Sequence, residues 1–299
     1  MHDQLWWIFA FISSLLTAAI YLMGQYVAMP ALQKTFWRGF IPLLCLTPAL
    51  LFIEWPSAPL FYAATITTAF IASFTDTKNF EAAARFGAGT AIRMKPFIIW
   101  LVFALWFMLH SDARQALLNS PQILWGTLAC LLIGAISASY MHKCPVSRKA
   151  LAFYIPIIML GACIDILNKT AMDASGLLGG IILYAWIQAL LITIITAVAH
   201  RPDAAGCGTA GIPPSIFARI RQTFKYGVVI GALFLFANLS KNAAMSYTVN
   251  PSYVTAIIVT GPVWVSAYYK TIKHTEAVNI WAGYGLIISA LGLILMTNH

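Results

Sequence analysis

Asp165 and Lys241 stand well inside long apolar runs, where an ionised side chain is expensive. At the centre of a bilayer such a group costs at least ~2.5–3.5 kcal/mol on insertion scales, so it turns towards a wet cavity, the bundle interior or an interface. Helical spacing gathers other polar residues around these two. Asp165, Asn168 and Lys169 share one helix face, and Asn238, Lys241 and Asn242 share another with the same spacing. Lys78, Glu81 and Arg85 align along a third helix. Arg93 and Lys95 fall in the first turns of the next, and Tyr21 and Gln25 lie one turn apart in the first. Lys78, Arg85, Arg93, Lys95, Lys169 and Lys241 outnumber the nearby anions Asp76, Glu81 and Asp165. An anionic or zwitterionic ligand would supply the missing negative charge, clamped by lysine or arginine. Tyr21, Tyr247, Tyr253 and Trp264 offer surfaces for an apolar or ring portion.

Each residue also has a plainer role. Arg85, Arg93 and Lys95 lie near helix ends and can snorkel to headgroups. Lys78 and Glu81 have the spacing of a structural pair, and Lys169 can sit at an interface. Asn238 and Asn242 can bond neighbouring helices. The aromatics and Gln25 can simply pack, or belong to an interfacial belt. Asp165 and Lys241 sit deepest and carry the strongest case for a cavity. The chain has no Gly-rich phosphate loop, Ser-His-Asp set or metal-ligand spacing, so neither catalysis, a metal nor a cofactor is expected. Cys45, Cys130, Cys144, Cys163 and Cys207 are scattered and imply no disulfide framework.

The elements that must position these residues follow from composition. Of 299 residues, 61% are apolar and 9% charged, against about 25% charged in a soluble domain. Too little polar surface exists to cover a water-soluble globule, and mean hydropathy is +0.81. The apolar runs are long and uninterrupted, which favours helices over a β-barrel. The expectation is an all-α integral membrane protein of about ten transmembrane helices. Residues 5–28, 36–53, 59–84, 90–109 and 122–141 form the first five; 150–172, 178–199, 224–247, 250–272 and 277–296 form the second. Residues 110–114 read as a solvated loop, 215–225 as an interfacial segment, and the N-terminal run as a retained helix, too long for a cleaved leader.

The net charge of +9 fits basic loops against anionic lipid better than nucleic-acid binding. Lys34, Arg38, Arg85, Lys143, Arg148, Lys149, Arg201, Arg219, Arg221, Lys225, Lys270 and Lys273 fall on one set of connections, and the opposite set holds only Arg114. The positive-inside rule places the first set in the cytoplasm and both termini outside. A bacterial cytoplasmic (inner) membrane is the expected location.

A basic linker, residues 142–149, separates residues 1–141 from 150–299. Gln25 to Met29 parallels Asn168 to Met172; Lys78-Asn79 parallels Lys241-Asn242; Pro96 parallels Pro262; Trp125 parallels Trp281. An odd number of helices per half makes the repeats inverted, an architecture that binds solute between the halves.

The second half resembles an EamA domain of the drug/metabolite transporter superfamily. The likeness is carried by Lys241-Asn242-Ala243-Ala244-Met245-Ser246-Tyr247, Asn250-Pro251-Ser252 and Gly261-Pro262-Val263-Trp264, then Glu276, Gly283, Gly285 and Gly292. The first half is a weaker version, through Phe80 to Phe86, Gly89-Thr90-Ala91 and Met94-Lys95-Pro96, with Ser120 where an acidic residue is expected. The resemblance implies ten helices in two inverted repeats, cytoplasmic termini and solute transport. The termini conflict with the loop charges.

The expected activity is therefore secondary transport of a small anionic or zwitterionic metabolite, such as an amino acid or a phosphorylated or carboxylate compound. Membrane lipids surround it, a proton or other ion is a candidate coupling partner, and the state is monomer or homodimer. The rivals are a flippase or intramembrane enzyme acting on a phospholipid-like substrate, and a non-transporting receptor.

Overall fold

A computed structural model describes residues 5–93, 96–140, 148–175, 177–199, 216–273 and 279–297. Every regular element among them is helical. The first half contains α1 (Trp6–Tyr26), α2 (Ala31–Leu46) with a 3-10 extension (Thr47–Phe52), α3 (Pro59–Phe86), α4 (Ala88–Arg93), α5 (Pro96–Leu109), α6 (Ser111–Leu118) and α7 (Pro121–Tyr140). The second contains α8 (Arg148–Asp173), α9 (Leu177–Ala199), α10 (Ile216–Tyr247), α11 (Pro251–Ile258), α12 (Gly261–Thr271) and α13 (Ile280–Thr297). Among the described residues, six helices are long and apolar enough to cross a membrane: α1, α2 with its extension, α7, α8, α9 and α10. These fit a multi-pass membrane protein. The bent pair α5–α6 makes a seventh if it is one span.

Proline and glycine set the boundaries. Pro30 disfavours helix at the residue before it, so α1 stops and α2 starts at Ala31. Gly87 closes α3 with φ +83°, a conformation that suits a residue without Cβ. Pro59 and Pro251 sit in the first turns of α3 and α11, where a missing N–H is harmless. Asn250 caps α11, its side chain accepting from the Ser252 N–H at 3.0 Å.

Two expected helices each comprise two elements, with residues 94 and 95 between the first two outside the described set. Residues 90–109 divide into α4 and α5, with Pro96 opening α5, and residues 250–272 divide into α11 and α12, with Pro262 in the first turn of α12. A proline interrupts the ladder by lacking its N–H and crowding the preceding turn. The second break frees backbone carbonyls in the protein interior. Ser14 on α1 donates to the Ile258 carbonyl at 3.1 Å and lies 3.0 Å from the Thr260 hydroxyl. Broken helices are tolerated where a neighbour satisfies the backbone in this way.

Other boundaries also shift. The second helix begins at Ala31, not residue 36, so Lys34 is no loop cation: it is 1% exposed and donates to the Gly24 carbonyl at 2.7 Å. The expected interfacial segment and eighth helix are one helix, α10, and the expected loop at 110–114 contains the start of α6, which turns 102° from α5. Most of the basic linker, the loop at 200–214, Lys95 and Glu276 lie outside the described residues, as do the side chains of Arg93, Arg219 and Arg221.

Packing places α1 against α10 and α3 against α8, with α2 between α9 and α10, and α7 against α13. Ser13 on α1 donates to the Ala237 carbonyl of α10 at 3.1 Å. On α10, Gly227 and Gly231 let Trp37 and Ile41 of α2 approach the helix backbone.

Candidate functional site

The interior holds a cavity of about 180 Å3 bounded by α1, α2, α3, α8, α9, α10 and α11. Lys241 of α10 forms an ion pair there with Asp165 of α8. The other Asp165 oxygen accepts from Thr255 Oγ1 of α11 at 2.7 Å. Asp165 is 5% exposed, so its charge is held by these two partners, not by bulk water. The sequence singled out this pair and the structure brings it together.

A second ion pair lines the same cavity. Arg38 of α2 meets Asp76 of α3, and its guanidinium lies 4.8 Å from the centre of the Phe234 ring. Beside it, Tyr21 of α1 donates to Asn79 Oδ1 at 3.2 Å. Sequence reasoning placed Arg38 among the loop cations because it lies near the start of the second apolar run. Its partner comes from another helix, so no spacing along α2 reveals it.

Amides complete the wall. Asn242 donates to Asn238 Oδ1 at 3.2 Å, Asn238 to Gln188 Oε1 at 2.8 Å, and Gln188 to the Tyr184 hydroxyl at 3.3 Å. Tyr184 donates to Asn168 Oδ1. Five residues on α8, α9 and α10 are thus linked in one directional chain, which fixes the amide orientations. Asn168, Gln188 and Asn238 reach the cavity; Asn242, 0% exposed, supports them from behind.

A larger chamber of about 950 Å3 opens at the end of the bundle formed by the start of α1 and the ends of α5, α8 and α10. Lys169 lines this chamber, not the central cavity, and pairs with Asp173 one turn further along α8. Tyr253 faces it too, its ring 6.4 Å from that of Trp6. The α6 helix contributes Asp112, Ala113 and Leu117, so the stretch expected to be an ordinary solvated loop forms part of a wall. His110, at the α5–α6 bend, stacks on Trp106 with ring centres 3.4 Å apart.

Other expected site residues lie elsewhere. Glu81 pairs with both Lys78 (2.8 Å) and Arg85, and none of the three lines either chamber. Lys78 also lies over the Phe153 ring at 5.5 Å, and the Arg85 side chain is exposed. Trp264 packs edge-on against Phe11. Gln25 fastens helices: its Oε1 accepts from the Tyr269 hydroxyl of α12 at 2.6 Å and from the Ala88 N–H of α4 at 2.9 Å. Arg93 ends α4 with its side chain outside the described set, and Lys95 is outside it entirely.

Gln25→Leu removes one acceptor shared by two donors, the Ala88 N–H and the Tyr269 hydroxyl. The expected loss is about 1–3 kcal/mol, the range for leaving a buried polar group unsatisfied. Thermal unfolding of the purified variant in detergent measures it; an unchanged midpoint would deny Gln25 this fastening role.

No protein-family model matches the chain, and no curated protein sequence is significantly similar to it. The site therefore has to be read from its own geometry. It combines two ion pairs and a row of linked amides around one cavity, with a separate wide chamber at one end of the bundle, within a protein whose described residues are all-helical and suited to a membrane.

Proposed function

We propose that the protein is a secondary transporter of the drug/metabolite type. It carries a small anionic or zwitterionic metabolite by alternating access between two inverted five-helix halves. The observation that carries this reading is the cavity between α1, α3, α8 and α10, lined by both halves, each of which brings one ion pair to it: Arg38–Asp76 from the first and Asp165–Lys241 from the second. Ionisable side chains are rare inside membrane-spanning helices and mark solute or ion pathways.

Counting α4–α5 and α11–α12 as one broken crossing each, and adding α3 and α13, gives about ten crossings. The packing supports a pseudo-two-fold. The contact of α1 with α10 has its counterpart in α8 with α3, and that of α2 with α10 in α9 with α3. The α2–α9 and α7–α13 pairs each map onto themselves. The two broken crossings occupy corresponding places, as expected of inverted-repeat carriers.

By the distribution of loop cations, the large chamber opens away from the cytoplasm, and the end fastened by Gln25 and Tyr269 faces it. The described conformation is then the outward-open side of the cycle. A bacterial cytoplasmic membrane is the proposed location. Asp165 is the residue placed to carry a proton if transport is ion-coupled.

Counterflow in proteoliposomes tests the reading. Vesicles preloaded with pools of amino acids, carboxylates or phosphorylated metabolites are expected to take up the matching labelled pool faster than empty-lipid controls. Ligand binding without counterflow would indicate a receptor. Movement only of a fluorescent phospholipid between leaflets would indicate a flippase.

A further inference from the structure

The charge of the central cavity narrows the substrate class of that same site, and the argument rests on the carrier reading above. The sequence suggests an excess of cations. The described residues distribute them differently. Lys78 and Arg85 share Glu81 away from the cavity, and Lys169 faces the outer chamber with Asp173. The charged groups that line the central cavity among the described residues are Arg38, Asp76, Asp165 and Lys241. They form two complete ion pairs. Among the described residues, the cavity carries polar and charged groups on a largely apolar wall and has no net charge.

That balance discriminates among solutes. A lone anion or cation entering a desolvated, neutral cavity adds one uncompensated charge and loses its hydration without a counter-charge to replace it. A zwitterion adds none. Its carboxylate can take the ammonium of Lys241 while its own cationic group takes the carboxylate of Asp165, so one internal pair becomes two intermolecular ones. Lys241 has three N–H donors, and Asp165 already divides its oxygens between Lys241 and the Thr255 hydroxyl. The Lys241 side chain is also the more accessible of the pair, 21% exposed against 7%, so the anionic end of the solute meets it first.

We propose that the central cavity selects a zwitterion of zero net charge, an α-amino acid or betaine, and that its transport moves no net charge across the membrane. The empty carrier has its charges paired internally, and the loaded carrier has them paired with the solute. Both forms can reorient without carrying an unpaired charge through the bilayer.

The test uses the full-length protein in detergent and three pools matched in side chain: free α-amino acids with betaines (zwitterions), N-acetyl amino acids (net anions) and amino-acid amides (net cations). Thermal stabilisation of the wild type by the zwitterion pool alone is expected. Asp165→Asn makes the cavity net positive and is expected to shift the response to the N-acetyl pool; Asp76→Asn makes the same charge change if that variant does not fold. Stabilisation of the wild type by the anion pool, by no pool, or by the same pool in wild type and variants overturns the proposal. In proteoliposomes, net zwitterion uptake is expected to reach the same level with and without an imposed potential. Transport with one net charge would instead shift the accumulation ratio about 50-fold per 100 mV, and that result also overturns it. Counterflow of the anion pool would remove the zwitterion inference and leave the carrier reading intact. Absence of counterflow with every pool would remove both.

Discussion

Lys241→Ala is expected to abolish counterflow and to destabilise the folded protein by about 3–5 kcal/mol, the usual range when one partner of a buried ion pair is removed. The loss has a specific origin. Asp165 would keep only the Thr255 hydroxyl as a partner while remaining almost wholly buried. The variant still folds, because removing the side chain disturbs no close helix approach. Asp165→Ala combined with Lys241→Ala removes the stranded charge. The double variant is expected to recover much of the unfolding temperature without recovering transport. Stability and function then separate in two measurements: thermal unfolding in detergent, and counterflow. Full transport by Lys241→Ala would remove that residue from the site, however stable the variant proved.

The second large effect lies outside the cavity. Gly231→Val is expected to destabilise the protein by at least ~1–3 kcal/mol, the range for overpacked interiors. A Cβ at Gly231 would fall 2.4 Å from Ile41 Cβ and 2.7 Å from the Trp37 backbone oxygen. A side-chain tip can rotate away; a backbone oxygen moves only with its helix. The displaced helix is α2, which also carries Arg38 into the cavity. Transport should therefore fall together with stability. A neighbouring Gly227→Ala places a Cβ 2.2 Å from the Trp37 ring, which is fully buried and whose indole N–H donates to Thr223 at 3.3 Å. It should act in the same direction. Both variants are read by the unfolding midpoint of the purified protein, and an unchanged midpoint for Gly231→Val would contradict the observed α2–α10 approach.

Pro96 and Pro262 illustrate how much of the fold was legible locally. Each stands at the start of a helical element, Pro96 as the first residue of α5 and Pro262 in the first turn of α12. The chemistry was readable, since a proline cannot donate to the ladder. The extent was not, because it depends on whether a neighbour such as Ser14 satisfies the carbonyls left behind. Asp165 and Lys241 were legible for a comparable reason: a charge deep in an apolar run must have a partner wherever the helix is placed. Arg38 and Lys169 mark the limit. Spacing along a helix tells which residues share a face, but not which neighbour that face meets.

What the sequence by itself determined is the solvent and the material: 61% apolar residues and long unbroken runs require helices in lipid, with few charges, each in need of a partner. Only the tertiary structure decided which charges met. It gave Arg38 of α2 to Asp76 of α3 and Lys241 of α10 to Asp165 of α8, and it placed Lys169 in the wide chamber instead of the central cavity. The physical reason is that pairing between helices depends on their rotation and approach. Those are set by contacts such as Gly227 and Gly231 against Trp37 and Ile41, between residues nearly two hundred positions apart in the chain.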